Sequence, residues 1–218
     1  NVAYNINEEN PSDVTDWIST GSKWLDGIIA KGQWAGIPVG RITEIAGLES
    51  SGKSFMAFQI AANAQKKGFI VVYFDSENAV QGGFLEKCGV DLNSLLYVQA
   101  TSIEDVLESI ESLMVNSPDK KFLFIWDSLA NTPCGKEIEG DFNPNSLVSL
   151  PARILSRGMK KLVIPIANSG SAMVILNQLK TNITTTMGEA LTTPYFTPGG
   201  KALIYAYSLR IWLTKRKG

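Results

Sequence analysis

An α/β fold with a mostly parallel, twisted sheet flanked by helices is what this sequence predicts, and three observations carry it. Short apolar runs such as "FIVVYFD" (69–75), "KKFLFIWD" (120–127) and "AMVILNQ" (172–178) read as strands buried on both faces. Helical stretches with apolar residues three and four apart alternate with them. A glycine-rich loop joins a strand-like run to a long helix in "ITEIAGLESSGKSFMAF" (42–58).

Taken in order, residues 1–16 are polar and without period, an arm or linker ahead of a core over 17–218. "STGSKWLDGIIA" (19–30) opens with capping residues and spaces Trp24, Leu25, Ile28 and Ile29 as a helix does. "GRITEIAG" alternates like a strand, and 53–67 reads as a helix ending at Gly68. After the strand at 69–75 come a helix over 80–88 and a short strand near 95–99. A further helix carries Ile103, Val106, Leu107, Ile110 and Leu113; its Glu104, Asp105, Glu108 and Glu111 make a solvated face. A long helix over 147–167 bears Arg153, Arg157, Lys160 and Lys161, and "SLRIWLTK" (208–215) closes the pattern as a strand. Trp17, Trp24 and Trp126 are expected in the core or in helix packing. Two stretches, 131–146 and 179–200, show no period, which in a compact domain marks functional or disordered loops.

The composition narrows the chemistry. The chain has 218 residues, 44% of them hydrophobic, enough for one sizeable core. No 18-residue apolar run and no basic-then-apolar N-terminus occurs, so neither a membrane span nor a signal peptide is expected. The first residue is not Met, as in a processed chain or a fragment. Cys88 and Cys134 read as reduced thiols of a cytosolic protein rather than a disulfide framework. There is no histidine, which excludes Ser-His-Asp and Cys-His machinery and imidazole zinc sites. A net charge of −1 does not suggest a free-standing nucleic-acid binder, and the basic end at Lys215, Arg216 and Lys217 reads as solvated.

Gly47, Leu48, Glu49, Ser50, Ser51, Gly52, Lys53 and Ser54 satisfy G-x-x-x-x-G-K-[ST] between a strand and a helix, the context that motif requires. Such a loop turns successive N–H groups toward phosphate oxygens, and the new helix adds its positive end. Lys53 would reach the β- and γ-phosphates, and the Ser54 hydroxyl would ligate Mg²⁺. Asp127 ends a buried strand, where ligands of open α/β sheets bind, and would hold the metal's water shell. Glu77, just past the strand end in "YFDSEN", could orient or deprotonate water; the alternative is an N-cap arrangement of Ser76 with nearby acids. Gln178 ends a strand before the second unassigned stretch, where it could sense a γ-phosphate or simply cap the strand.

With these residues in place, the chain resembles the RecA recombinase family. The likeness runs through "DWISTGSKWLDGIIAKGQWAGIPVGRITEIAGLESSGKS" (16–54), "YFDSENAVQGGFLEKCGVDLNSLLYVQ" (73–99), "FIWDSLA" (124–130), "KEIEGD" (136–141), "ARILSRGMKKL" (152–162), "ILNQLK" (175–180) and "TPGGKALIYAYSLRIWL" (197–213). A P-loop alone is not family-specific; the EIEG segment and the NQ strand with its loop ending in GG are. The wording of the loops is similar to a phage-type or otherwise divergent member.

The resemblance implies a RecA-like P-loop NTPase using ATP and Mg²⁺, with Glu77 as catalytic base, Phe84 stacked on adenine and Gln81 near the base. Lys53, Ser54 and Asp127 keep their phosphate and metal roles. Gln178 couples nucleotide state to DNA binding. Single-stranded DNA, and then double-stranded DNA, would meet two loops. The first is 137–146, leading to Arg153, Arg157 and Lys160; the second is 180–200, with Lys180, Thr197, Gly199, Gly200 and Lys201. The family acts as a helical filament in the cytoplasm of a bacterial or phage-infected cell, exchanging DNA strands at the expense of ATP. Few phosphate contacts per subunit then suffice for a chain of net charge −1.

This sequence departs from the family where Asn78 replaces His, Gln81 replaces an acid and Lys180 replaces Arg. Phe142, Asn143 and Pro144 alter the first loop. The family's usual segments before and after this core, including a lysine-bearing ATP-interface strand, are not matched, so polymerisation is expected to be impaired. Two other classes stay open: a RecA-fold ATPase indifferent to DNA, and a nucleotide-binding accessory module that does not hydrolyse.

Overall fold

The computed structural model describes residues 13–29, 31, 35–78, 80–139, 150–181 and 195–215. Its centre is a six-stranded sheet of β3 (Ile42–Gly47), β4 (Ile70–Asp75), β5 (Leu95–Gln99), β6 (Phe122–Asp127), β7 (Ala172–Gln178) and β10 (Tyr207–Leu213). The strand order is β10-β3-β7-β6-β4-β5, and every neighbouring pair is parallel. Two smaller ladders flank it: β1 (Trp17–Ile18) with β2 (Ile37–Pro38), and β8 (Lys180–Thr181) with β9 (Tyr195–Phe196), both antiparallel.

The unbroken apolar runs are the strands covered on both sides. β3 and β6 are buried at every position, and β4 and β7 at all but one. Because strand side chains alternate between faces, Val71 and Tyr73 join one apolar cluster with Phe58, Ile60 and Ile125. Val72 and Phe74 join the other with Trp126, Ile110 and Met159. Each such side chain contributes roughly 1.5–3 kcal/mol relative to exposure. The strand ends that carry the functional residues therefore stand on a firm base.

Helices close both faces: α1 (Lys23–Ile29), α2 (Lys53–Lys66), α3 (Gly82–Lys87), α4 (Ile103–Asn116), α5 (Gly135–Glu139), α6 (Leu150–Ser169) and α7 (Lys201–Ala206). In α4, Ser102 caps the first turn by accepting from Asp105 N at 3.1 Å, and Ile103, Val106, Ile110 and Met114 face inward. Its acidic side is solvated but tied to neighbours. Glu111 accepts from Lys161 Nζ at 2.6 Å, and Glu104 from Gly135 N at 3.0 Å. Cys88 and Cys134 are free and buried.

The α/β fold expected from the sequence is the fold found, with element ends shifted by a few residues. Three expectations are corrected. Trp24 is 87% exposed rather than packed, because α1 turns Asp26 inward instead: its carboxylate accepts from Ser19 Oγ, Thr20 N and Thr20 Oγ1. Trp126 is fully buried as expected. Within 179–200, Lys180–Thr181 and Tyr195–Phe196 pair as a ladder, which a Thr- and Pro-rich sequence does not reveal. Residues 201–206 form a helix that runs directly into β10, where the sequence suggested only a strand from 208. Residues 140–149 and 182–194, which hold most of both expected DNA loops, lie outside the described residues, as do Phe142, Asn143 and Pro144.

Candidate nucleotide site

The sheet delivers the candidate side chains to one edge, the carboxyl ends of the strands. β6 and β7 lie between β3 and β4, so the chain leaving β3 opens a crevice at the point where ligands bind in open α/β sheets. The loop from Gly47 to Ser54 spans the turn from β3 into α2, with Gly52 at the helix N-cap. A Cβ on Gly47 would meet Ser51 Oγ at 2.2 Å and the backbone oxygen of Leu213 at 3.1 Å, so a side chain there would force Ser51 to move.

Lys53 is buried, and its ammonium donates to Gly47 O at 3.2 Å and Leu48 O at 3.0 Å. Burial lowers its pKa; Asp127, Glu77 and Glu49 act in the opposite direction. Ser54 Oγ donates to Asp127 Oδ2 at 3.0 Å, and Tyr73 OH donates to the same oxygen at 2.6 Å. Burial raises the Asp127 carboxyl, while the hydrogen bonds from Tyr73 and Ser54 pull it down. Burial first, and then the charge of Asp127, push the Tyr73 phenol far up, so it stays a protonated donor.

The strand register explains the acidic pair. Asp75 and Asp127 are direct neighbours on β4 and β6, yet they do different work. Asp75 is 1% exposed and accepts from Glu77 N at 2.9 Å, Val80 N at 3.2 Å and Tyr97 OH at 3.0 Å. It thus ties down the turn that presents Glu77. Neither Ser76 nor Asp75 caps a helix, since α3 starts at Gly82 with Gln81 at its N-cap; Asp75 holds the turn instead, and Glu77 faces the crevice. Ser76 Oγ bridges to the carbonyls of Asp127 and Ser128 at 3.3 and 3.0 Å. The Asp127–Ser128 peptide bond is cis. Glu77 is exposed, and its Oε1 accepts from Ser128 Oγ at 3.0 Å and Asn131 Nδ2 at 2.5 Å.

Ser54, Asp127, Glu77, Gln81 and Phe84 line one cavity of about 250 Å³, together with Phe58, Asp75 and Val80. Phe84 is 45% exposed and packs edge-on against Phe58 at 5.7 Å and beside Phe55 at 6.2 Å. The cavity thus combines the exposed ring of Phe84 with the side-chain oxygens of Ser54, Asp127 and Glu77. Asn78, with φ 52, holds the left-handed turn that asparagine tolerates.

These residues fit a phosphate and a hard divalent cation. Ser51 Oγ is buried with no hydrogen-bond partner among the described residues. Ser54 and Asp127 supply oxygens 3.0 Å apart, the donor type Mg²⁺ takes with one or two carboxylates plus substrate phosphates. Among the described residues no group of three or more His, Cys, Asp or Glu is placed to hold a metal ion by itself.

Gln178 is tied to the same loop. It pairs in register with Gly47 across β7 and β3, and Leu179 N donates to Gly47 O at 3.1 Å. Beyond it stands the stem of the second loop. Lys180, Pro198 and Gly199 line a separate cavity of about 460 Å³. Gly199 has φ 107, a conformation that side-chain-bearing residues rarely adopt, and a Cβ there would meet Leu203 Cδ1 at 2.0 Å, so Leu203 would also have to move. Gly200 is the N-cap of α7. Lys201 opens that helix, and its side chain lies outside the described residues.

Three residues anchor the stem, and the sequence did not single them out. Glu44, fully buried on β3, accepts from Arg210 Nε at 2.6 Å and Asn177 Nδ2 at 3.0 Å. Asn177 Nδ2 also reaches Pro198 O at 3.0 Å, and Arg210 Nη2 reaches Thr197 Oγ1 at 3.0 Å. Arg153, Arg157 and Lys160 are exposed on α6 and are not gathered with this stem. Arg157 lines a groove with Glu104, Glu108 and Glu111 of α4, so acids face it there. Tyr73, Ser128 and Asn131 were also missed. The only trace of Tyr73 in the sequence is a polar tip in a run of buried apolar residues.

Residues 4–217 match the family model of the RecA N-terminal domain. Among curated proteins, the chain is similar to Protein RecA of Rhodopirellula baltica, with 42% identity over 197 residues, 90% of this chain and 50% of that protein. It is 37% identical to Protein RecA of Bifidobacterium longum over 203 residues, 93% of this chain and 49% of that one. Protein RecA of Wolbachia sp. subsp. Brugia malayi shares 36% over 208 residues, 95% and 56% respectively. The chain spans about half the length of these curated relatives.

Proposed function

The chain belongs to the RecA family, and from that premise we propose that residues 17–218 act as the ATPase core of a DNA strand-exchange protein. It binds ATP with Mg²⁺ at the cavity of Glu77 and Asp127. It binds single-stranded DNA, and then double-stranded DNA, at the loops around Lys180–Thr181 and ahead of α6, in subunits assembled as a helical filament. One observation carries the reading. The carbonyl of Gly47 accepts both from Lys53 Nζ and from Leu179 N, so the phosphate loop and the root of the second loop share one oxygen.

In this mechanism Lys53 leaves the Gly47 and Leu48 carbonyls for the β- and γ-phosphates. Ser54 and Asp127 would hold Mg²⁺, and Tyr73 keeps Asp127 in place through its hydrogen bond. Mg²⁺, when bound, neutralises charge on the phosphate oxygens. Phe84 offers its face to the adenine, with Gln81 at the edge. Glu77 orients the attacking water and takes its proton. Gln178, in register with Gly47, reports the γ-phosphate to the stem. Nucleotide then shifts DNA affinity as far as it favours one stem arrangement over the other. Lys180, Lys201, Arg153, Arg157 and Lys160 supply phosphate contacts, and the backbone at Thr197, Gly199 and Gly200 lies along the strand.

ATP hydrolysis measured with and without single-stranded DNA, beside Glu77→Ala, tests this directly. Stimulation by DNA that vanishes in the variant is the expected result. Turnover indifferent to DNA would place the chain among RecA-fold ATPases that do not exchange strands. Function that survives Glu77→Ala would make it a non-hydrolysing module.

A further inference from the structure

Two cavities lie at this end of the molecule, and a single side-chain bond joins their walls. Glu77 lines the first, with Ser54 and Asp127. Asn131 lines the second, with Glu137, Ala152, Lys180, Pro198 and Gly199. Asn131 Nδ2 donates to Glu77 Oε1 at 2.5 Å. Asn131 closes the short 3₁₀ turn Leu129–Asn131, four residues after Asp127, and is exposed.

We propose that Asn131 is a positioning residue that hitches Glu77 in the resting molecule. Single-stranded DNA entering the second cavity draws Asn131 away and frees the carboxylate. This deepens the function proposed above and rests on it.

Three observations support the hitch. Oε1 already carries two donors, Asn131 Nδ2 and Ser128 Oγ, and such donors compete with a water proton for the same lone pairs. The other polar groups of the site are likewise turned inward, Lys53 onto its own loop carbonyls and Ser54 onto Asp127. The second cavity also suits the proposed occupant. Lys180 offers a cation to phosphate, and an asparagine amide that leaves Glu77 has both the donor and the acceptor to engage a base edge. Its walls come from the loop stem and the start of α6, the two segments that flank the expected DNA loops.

The test uses the whole chain and the variants Asn131→Ala and Asn131→Asp. Carbodiimide labelling of the Glu77 carboxyl without nucleotide, read by peptide mass spectrometry, reports the hitch independently of turnover. DNA-free ATP hydrolysis reports its consequence. Both labelling rate and DNA-free kcat should rise about tenfold in Asn131→Ala, the worth of one charge-assisted hydrogen bond, with KM within about twofold. Asn131→Asp should do at least as much, by repulsion. Oligo(dT) alone should raise Glu77 labelling in the parent protein and leave it unchanged in Asn131→Ala. Unchanged or slower labelling in both variants, with melting temperatures at the parent value, overturns the hitch. Oligo(dT) that binds without altering Glu77 labelling overturns the coupling. If oligo(dT) neither binds nor stimulates turnover, the DNA reading fails and takes the coupling with it, while labelling of the variants still decides the hitch.

Discussion

Asp127 ends a strand buried at every position, and Lys53 and Ser54 open the helix that follows another such strand, while Lys180 stands on a two-residue ladder and Thr197 just past it is held by Arg210, the part-exposed partner of buried Glu44. At the phosphate loop, geometry is set by the sheet itself, through two apolar clusters that no single side chain controls. At the stem, it is set by Glu44, Asn177 and Arg210, a polar set in which each member depends on the others. The difference suits the proposed tasks. A catalytic end needs fixed distances, whereas a loop that responds to nucleotide needs few and switchable contacts.

Breaking the rigid end should cost most. Lys53→Ala should lower ATP turnover by about 10²–10³-fold, the range for removing a preorganised charge-stabilising donor, measured by steady-state phosphate release. Glu77→Gln should lower kcat by about 10²-fold or more, as for loss of a general base. Nucleotide affinity by fluorescent-analogue titration should stay within a few-fold, because Glu77 holds no phosphate. At the stem, Arg210→Ala should reduce stability by about 3 kcal/mol, because fully buried Glu44 loses its ion-pair partner and keeps only the Asn177 amide. Urea denaturation reads this out. DNA affinity should fall more than ATP affinity if the stem is the softer partner. Tyr73→Phe removes one of two donors to Asp127 and should cost about 1–2 kcal/mol of Mg²⁺-dependent nucleotide binding, seen as a higher Mg²⁺ midpoint.

The smallest effect is with pH. Burial holds the Asp127 carboxyl above the ordinary aspartate range. Its ionised form therefore opposes folding at neutral pH, and that penalty is relieved as pH falls through the raised value. The metal needs the ionised form, so Mg²⁺-dependent nucleotide affinity should decline on acidification sooner than for an ordinary aspartate. In Asp127→Asn that pH dependence should disappear.

The rigid end was also the legible one. Gly47, Gly52, Lys53 and Ser54 follow a fixed spacing, and Asp127 and Gln178 end apolar runs, so periodicity alone placed them at one edge of a sheet. Tyr73 was hidden in such a run, because its partner lies 54 residues away and meets it only through the β4–β6 register. Asn131 lay in a stretch without period. Glu44 and Arg210 are 166 residues apart, and each looks locally like an ordinary strand residue. The ladder at Lys180 pairs segments rich in threonine and proline, where no alternation marks a strand. Trp24 misled because helical spacing says which residues share a face, not whether that face is covered.

The central claim is that nucleotide at the rigid end reorganises the stem. The most direct measurement is the affinity of fluorescent oligo(dT) by anisotropy with a non-hydrolysable ATP analogue and Mg²⁺, with ADP and Mg²⁺, and with neither. The account predicts that the ATP analogue tightens binding about tenfold or more over the other two states, within the usual span of allosteric coupling, and that Lys53→Ala abolishes the difference. Equal affinity in all three states would contradict it.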